Sequence, residues 1–442
     1  MKRILKLMCL VAVVFMTGCS AVNFSVDNLL RAPNLTEEQK EIHQALVQSV
    51  GNNITLKYPK TGDNRSAYVI KNIDDEPGAE ALVFYEYAGV ANKDGLMVNL
   101  LDKNDDNDWV SVKEFAGAGS EVATVIISDM GEDNDTQVIV GYTSSTSDEK
   151  TLVVYNYDDE IKTVGTENYL LLEAYDINAD STEDIVVVNR NTGDENNRDD
   201  DTYTASILEA GKDELIKTHS VLMCNNATSY VHTATGKLNE NSPALYIDEL
   251  TDKNELQTEI IYFENDGLIN PIEADKDRLL PLCTRPAGYY SQDIDRDGVV
   301  EIPLVRVMTG YENVVEEEKQ YLTDWLVYDN DLLLKYSGYY CLSDGYMMAY
   351  PSRWTGQVTV KKDNDTQEMV FYKYDGDING EMTELMRIAV AGDEQKTRYL
   401  YDGYQLVSEK GQLCYLVNIG SQREEPLVPT IDEIKNCFYL AG

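Results

Sequence analysis

The sequence predicts a mainly β chain: a β-propeller of about five to seven blades followed by a small C-terminal α+β domain. Three observations lead there. Apolar and polar residues alternate with a period of two in "EALVFYEY", "TQVIVGYT", "KTLVVYNY", "DIVVVN" and "TDWLVYDN". Thirty tyrosines against seven phenylalanines suit strands whose aromatic edges meet water. An acidic loop also recurs, starting at residues 72, 129, 176, 236 and 293. A strand precedes each copy, a longer strand follows it, and two shorter strands fill the gap. Four strands in about fifty residues is the size of a propeller blade, a unit that must stack on others to bury its faces.

Charge narrows the partners. Among 442 residues, 37 Lys and Arg face 78 Asp and Glu, a net of −41. Nucleic acid and anionic bilayer surfaces are therefore electrostatically poor partners, and divalent cations better ones. At 43% hydrophobic and 26% charged residues, the composition is that of a globular chain.

The N-terminus reads as a lipoprotein signal over residues 1–18. Lys2, Arg3 and Lys6 precede the apolar run Leu7 to Met16, too short and wrongly flanked for a stable span. Met16, Thr17, Gly18 and Cys19 resemble the bacterial lipobox. That resemblance implies acylation of Cys19 and an exported chain, lipid-anchored to the outer face of the bacterial cell membrane. Contact with the membrane is then through the anchor alone. The other cysteines outside the signal, Cys224, Cys283, Cys341, Cys414 and Cys437, sit in mostly apolar contexts and suggest no disulfide framework. An exported setting still permits one disulfide.

A tether over 19–33 leads to a helix over 34–51, capped by Thr36 with Gln39 and closed by Gly51. The propeller repeats occupy 52–337. Residues 338–442 lose the acidic loop and form the α+β domain, with "VTVKK", "EMVFYKY", "LMRIAVAG", "TRYLYDGYQLVSE" and "LCYLVNIG" as strands and "TIDEIKNCFYL" as a closing helix. Part of this segment also suits a sixth blade. Tyr350 and Trp354 in "MMAYPSRW" are expected in the core.

The loop "DIDRDGVVEI" first suggests an EF-hand. Its twelfth position is Leu304, however, where that motif needs a bidentate acid, and a strand follows instead of a helix. Asp293, Asp295, Asp297 and Glu301, with the Val299 carbonyl and Gly298 for the turn, instead form a nine-residue calcium loop between strands. Asp176, Asn178, Asp180 and Asp184 repeat the spacing, with Ser181 in place of the glycine. The same residues also suit an acidic turn closed by its own backbone. The loops at 72–80 and 129–137 are expected as turns without metal, and Gly236, Leu238, Glu240 and Ala244 cannot hold a divalent ion. Oxygen ligands without histidine point to structural calcium.

These loops resemble the FG-GAP and VCBS-type calcium repeats of integrin-like β-propellers, over residues 54 to 337. With the lipobox and helix, the chain also resembles lipoproteins of clostridial and related bacteria. No nucleophile turn, metal-spaced histidine pair or dinucleotide fingerprint is present. The expected function is a calcium-braced binding or scaffold module for an extracellular glycan, cell-wall or protein partner. The alternative is a polysaccharide-processing enzyme with catalytic acids in the propeller channel.

Overall fold

The computed structural model describes residues 35–441 except 75, 90–94, 131–135, 145–148, 158–159, 193–200, 212–213, 239–241 and 422–423. Cys19 and the whole signal lie outside the described residues. Helix α1 (Glu37–Val50) begins with the expected capping box: the Thr36 side chain accepts from the Gln39 N–H, and Gln39 reaches back to the Thr36 N–H. Ile42, Ala45 and Leu46 form its buried face.

Six antiparallel sheets follow in sequence order. Sheet 1 holds β1 (Ile54–Leu56), β2 (Tyr68–Lys71), β3 (Glu80–Tyr87), β4 (Met97–Lys103) and β5 (Trp109–Ala116); β1 and β2 share one edge of β3. Sheet 2 is the meander β6 (Glu121–Asp129), β7 (Thr136–Thr143), β8 (Lys150–Tyr157) and β9 (Ile161–Tyr169). Sheet 3 repeats it with β10 (Leu171–Tyr175), β11 (Asp184–Asn191), β12 (Thr202–Ala210) and β13 (Leu215–Met223). Sheet 4 comprises β14 (Ala227–Lys237), β15 (Pro243–Thr251), β16 (Glu255–Phe263), β17 (Leu268–Ile269) and β18 (Arg285–Pro286). Between β17 and β18 lie helices α2 (Pro271–Ala274) and α3 (Lys276–Cys283).

Sheet 5 runs β19 (Ile302–Val307), β20 (Tyr321–Tyr328), β21 (Leu332–Cys341) and β22 (Tyr346–Ala349), and β28 (Phe438–Leu440) adds to its edge. Sheet 6 contains β23 (Val358–Lys362), β24 (Met369–Lys373), β25 (Thr383–Gly392), β26 (Gln405–Lys410) and β27 (Leu413–Ile419). There β25 pairs with β27 because helix α4 (Asp393–Tyr401) carries the chain over to β26. Helix α5 (Ile431–Cys437) leads into β28.

Each sheet shares a core with the next. Leu82 and Phe84 pack with Val138 and Val140, Ile139 and Val154 with Val187 and Leu208, and Val186 and Ile207 with Leu245 and Ile261. Tyr246 and Ile260 pack with Ile302 and Tyr328, and Tyr339 and Tyr346 with Phe371 and Tyr415. No core among the described residues joins sheet 1 to sheet 6. Helix α1 covers the free face of sheet 1, and Tyr399 of α4 packs on Ala391 and Leu416 of sheet 6.

This stacking changes the period-two reading. In β3 every residue from Glu80 to Tyr85 is buried, and in β7 every residue from Gln137 to Tyr142, because both faces meet protein. Alternation survives in fourth strands such as β13. Buried Tyr85, Tyr142, Tyr246, Tyr346 and Tyr415 accordingly serve as core residues. Where sheets 2 and 3 approach, a Cβ at Gly165 would lie 2.5 Å from the Leu215 side chain, so this position excludes one.

One irregularity recurs. A β-bulge interrupts the pairings β4–β5, β8–β9, β12–β13 and β20–β21 at the same register in four sheets: Val112, Val164, Thr218 and Lys335 are each skipped. In each case the residue opposite the slip, Leu101, Tyr155, Leu208 or Leu326, pairs on its other side with the residue just after an acidic loop: Ala81, Val138, Ile185 or Ile302. The repeat is thus a unit of backbone geometry as well as of composition.

Three expectations for the last segment change. Residue 338 lies inside β21, and the chain passes to a new sheet only after Trp354. "TRYLY", expected as strand, belongs to α4, and residues 438–440 leave the closing helix to pair with β22. Trp354 is fully buried, its Nε1–H donating to the Leu427 carbonyl at 2.7 Å.

Candidate metal centre

The loops at 72–80, 129–137, 176–184 and 236–244 join β2 to β3, β6 to β7, β10 to β11 and β14 to β15 in sheets 1 to 4. The loop at 293–301 enters sheet 5, its first strand reduced to a bridge between Gln292 and Glu301. Neighbouring loops touch: the Tyr175 hydroxyl donates to the Gly236 carbonyl at 2.7 Å, and Lys237 bridges Val299.

In four loops the ninth side chain accepts the N–H of the second residue: Glu80 from Ile73 at 2.8 Å, Gln137 from Met130 at 2.7 Å, Asp184 from Ile177 at 3.0 Å and Glu301 from Ile294 at 2.9 Å. The second residue is buried and apolar each time, so its N–H needs that acceptor. In the copy at 236–244 the second residue is Lys237 and the ninth Ala244; the turn there closes by a backbone bond from Leu238 N–H to the Ser242 carbonyl. The ninth-position acceptor therefore has a structural duty independent of metal, which glutamine also performs.

At 293–301 the acids do converge. One carboxylate oxygen from each of Asp293, Asp295, Asp297 and Glu301 lies within 4.8 Å of the others. Asp293 accepts from the N–H groups of Asp297 and Gly298 at 3.1 and 2.8 Å, and Asp297 from that of Val299 at 2.9 Å. Arg296 and Gly298 adopt φ of 63° and 90°. The cage already contains a positive charge. Lys335 Nζ, from the bulge in β21, lies 2.7 Å from Asp295 Oδ2, 2.7 Å from Asp297 Oδ2 and 2.6 Å from Glu301 Oε1.

Burial, only partly offset by Lys335 and the Ile294 N–H, pushes the Glu301 carboxyl up to about 7. Burial disfavours the Lys335 charge, but the three carboxylates outweigh it and hold the ammonium above its ordinary range. Burial also works against the Asp297 charge, yet Lys335 and the Val299 N–H leave it below the usual carboxylate range.

The loop at 176–184 has the same backbone and a different occupant. Asp176 accepts from the N–H groups of Asp180 and Ser181 at 3.1 and 3.0 Å, and Ala179 and Ser181 take φ of 63° and 78°. Asn178 Nδ2 donates to Asp180 Oδ2 at 3.0 Å and Asp184 Oδ1 at 3.3 Å. Burial pushes the Asp184 carboxyl up to about 6, with Asp180 and Asp176 adding to it. The bulge residue here is Thr218, whose buried hydroxyl has no hydrogen-bond partner among the described residues.

Sequence reading missed two participants. Lys335 lies 34 residues from Glu301 in sequence, and only strand register brings it into the cage. Asp102 of β4 joins Asp74 and Glu80 in a second carboxylate group at the 72–80 loop. Burial raises the Glu80 carboxyl, and Asp74 and Asp102 add to that.

A further cluster of buried charge sits in sheet 4. Asp248 receives Arg285 Nη2 at 2.8 Å, the hydroxyls of Thr258 and Ser291 at 2.6 and 2.8 Å, and His232 Nδ1 at 3.2 Å. Arg285 and these bonds hold its carboxyl well below its usual range despite burial. Glu249 and Glu259 form a fully buried pair beside Gln257, Asn270 and the Cys224 N–H; burial raises both carboxyls. Neither is open to a substrate. The histidines do not meet: His43 binds the Tyr68 hydroxyl, His219 faces the Phe263 ring and His232 lies on Asp248.

No protein-family model and no curated protein sequence matches the chain. Among the described residues, no helix is long and apolar enough to cross a membrane.

Proposed function

We propose that the chain is a lipid-anchored cell-surface protein whose six sheets are propeller blades. Among the described residues, helices α1 and α4 cover the two faces that no neighbouring sheet covers. In this reading the blades form a rigid scaffold, and the acidic turns at 176–184 and 293–301, at one end of their blades, are braced by cations, calcium above all. The loops at that end present a binding surface to an extracellular glycan, cell-wall or protein partner. The supporting observation is the contact between successive turns, Tyr175 on Gly236 and Lys237 on Val299, which sets equivalent loops of neighbouring sheets side by side. Asp293, Asp295, Asp297, Val299 and Glu301, and Asp176, Asn178, Asp180 and Asp184, are the proposed cation-holding residues, and Cys19 the acylated one.

The test is cosedimentation of a fragment lacking residues 1–19 with isolated cell walls and purified wall polysaccharide, in calcium and in EDTA. Retention that calcium enhances supports the reading. A fragment that remains in the supernatant throughout, with no calcium effect on its melting, would count against it.

A further inference from the structure

The 293–301 turn matches the spacing of a calcium loop, yet its cage is already occupied by a side chain from the same polypeptide. Three carboxylates lie within 2.7 Å of Lys335 Nζ, which is closer to an ordered cation site than to a solvated surface pair. Glu301 is fully buried. Its charge therefore requires a partner held in place.

A second observation is independent of those contacts. Lys335 is the residue skipped by the β21 bulge: Trp325 pairs with Tyr336 and Leu326 with Leu334. Bulges re-aim side chains, and this one occurs at the same register in sheets 1, 2 and 3. Of the four skipped residues, Val112, Val164, Thr218 and Lys335, only the last carries a charge, and among the described residues it stands at the turn whose converging carboxylate group is largest. In sheet 3 the equivalent Thr218 supplies no cation, and the neutral Asn178 amide bridges Asp180 and Asp184.

We propose that the Lys335 ammonium is the resident cation of the 293–301 turn, standing where a divalent ion would otherwise stand, so that this turn closes without metal. The calcium demand of the chain then falls on residues 176–184. That second step rests on the calcium reading above; the first does not. Calcium enters the 293–301 cage only by displacing a tethered charge that is always present at high local concentration.

The experiment compares the full chain with its Lys335→Met variant, which keeps most of the stem and removes the charge. In EDTA the variant is expected to melt about 5 °C or more below the parent, because Glu301 loses its partner. Millimolar calcium is expected to restore most of that loss. In the parent, the calcium shift should disappear with Asp176→Asn and Asp180→Asn together and persist with Asp293→Asn and Asp297→Asn.

Equal melting of parent and Lys335→Met in EDTA would overturn the proposal, even if calcium still stabilised the parent. A variant that melts low and is not rescued, with no calcium effect on the parent, keeps the resident lysine and removes the calcium reading. Amine acetylation of the native parent, read by peptide mass spectrometry, gives a measure that requires no variant. Lys335 should be modified at least tenfold more slowly than exposed Lys113, and equal rates would overturn the proposal.

Discussion

Arg285 and Asp248 form an ion pair with neither side chain exposed, Nη2 to Oδ1 at 2.8 Å, in the interior of sheet 4. Removing one partner strands the other in a medium that cannot solvate it. Asp248→Asn should therefore destabilise the chain by about 3 kcal/mol or more. Combined with Arg285→Met it should cost less than the sum of the two single changes, because the second removes the orphaned charge. Urea unfolding of the three variants checks this; additive losses would show that the two groups act separately.

The ninth-position acceptor can be separated from charge. Asp184→Asn keeps an oxygen for the Ile177 N–H, whereas Asp184→Ala leaves that buried donor without a partner. The alanine variant should lose about 1–3 kcal/mol more than the asparagine variant in EDTA. If the two unfold alike, the shared bond contributes nothing to the turn.

Ser181 offers a gain. It sits at φ 78°, where Gly298 of the equivalent loop sits at 90°. Ser181→Gly removes the Cβ penalty of the left-handed region and should stabilise the chain by about 1 kcal/mol, seen as a rise in melting temperature. A fall would mean that the serine side chain contributes more than its backbone strain costs.

The pH dependence should run opposite to the usual carboxylate case. Glu301 and Asp184 have folded-state values raised to about 7 and about 6. Between their ordinary values and these, the folded chain binds more protons than the unfolded one, so stability falls as pH rises. The contribution is fully present below about pH 4 and is lost as pH rises through about 6 to 7. Melting in EDTA should accordingly be higher at mildly acidic than at mildly basic pH. Glu301→Gln should reduce the difference, and an unchanged slope would exclude Glu301 as its source.

The anchor has its own test. Cys19→Ser should leave the signal uncleaved or release the chain into the medium, checked by fractionation and metabolic labelling with a fatty acid. Normal processing with unchanged membrane retention would remove the lipobox reading.

Most strands of sheets 1 to 5 were legible because burial on two faces demands apolar runs of a length that turn residues punctuate, as in "EALVFYEY" at β3. The acidic turns were legible because one motif recurs at steady intervals. Helices α2 and α3 were not: Pro281 lies inside α3 and masks its pattern, although Asn270 caps α2 ahead of Pro271. Helix α4 reads as a strand because its aromatic residues favour strands, and only packing of Tyr399 against Tyr404 and sheet 6 overrides that preference. Lys335 and Asp102 escaped for a common reason. Each comes from a strand outside the loop it serves, and registers across a sheet are decided by pairing that no local pattern records.

The recurring bulge also makes one position in each of four sheets an interchangeable part. The backbone there is already committed, so exchanging valine, threonine and lysine leaves the ladder in place and alters only the charge delivered toward the adjoining acids. A single codon in such a unit could decide whether a turn draws its counter-charge from the surroundings or carries it within the chain.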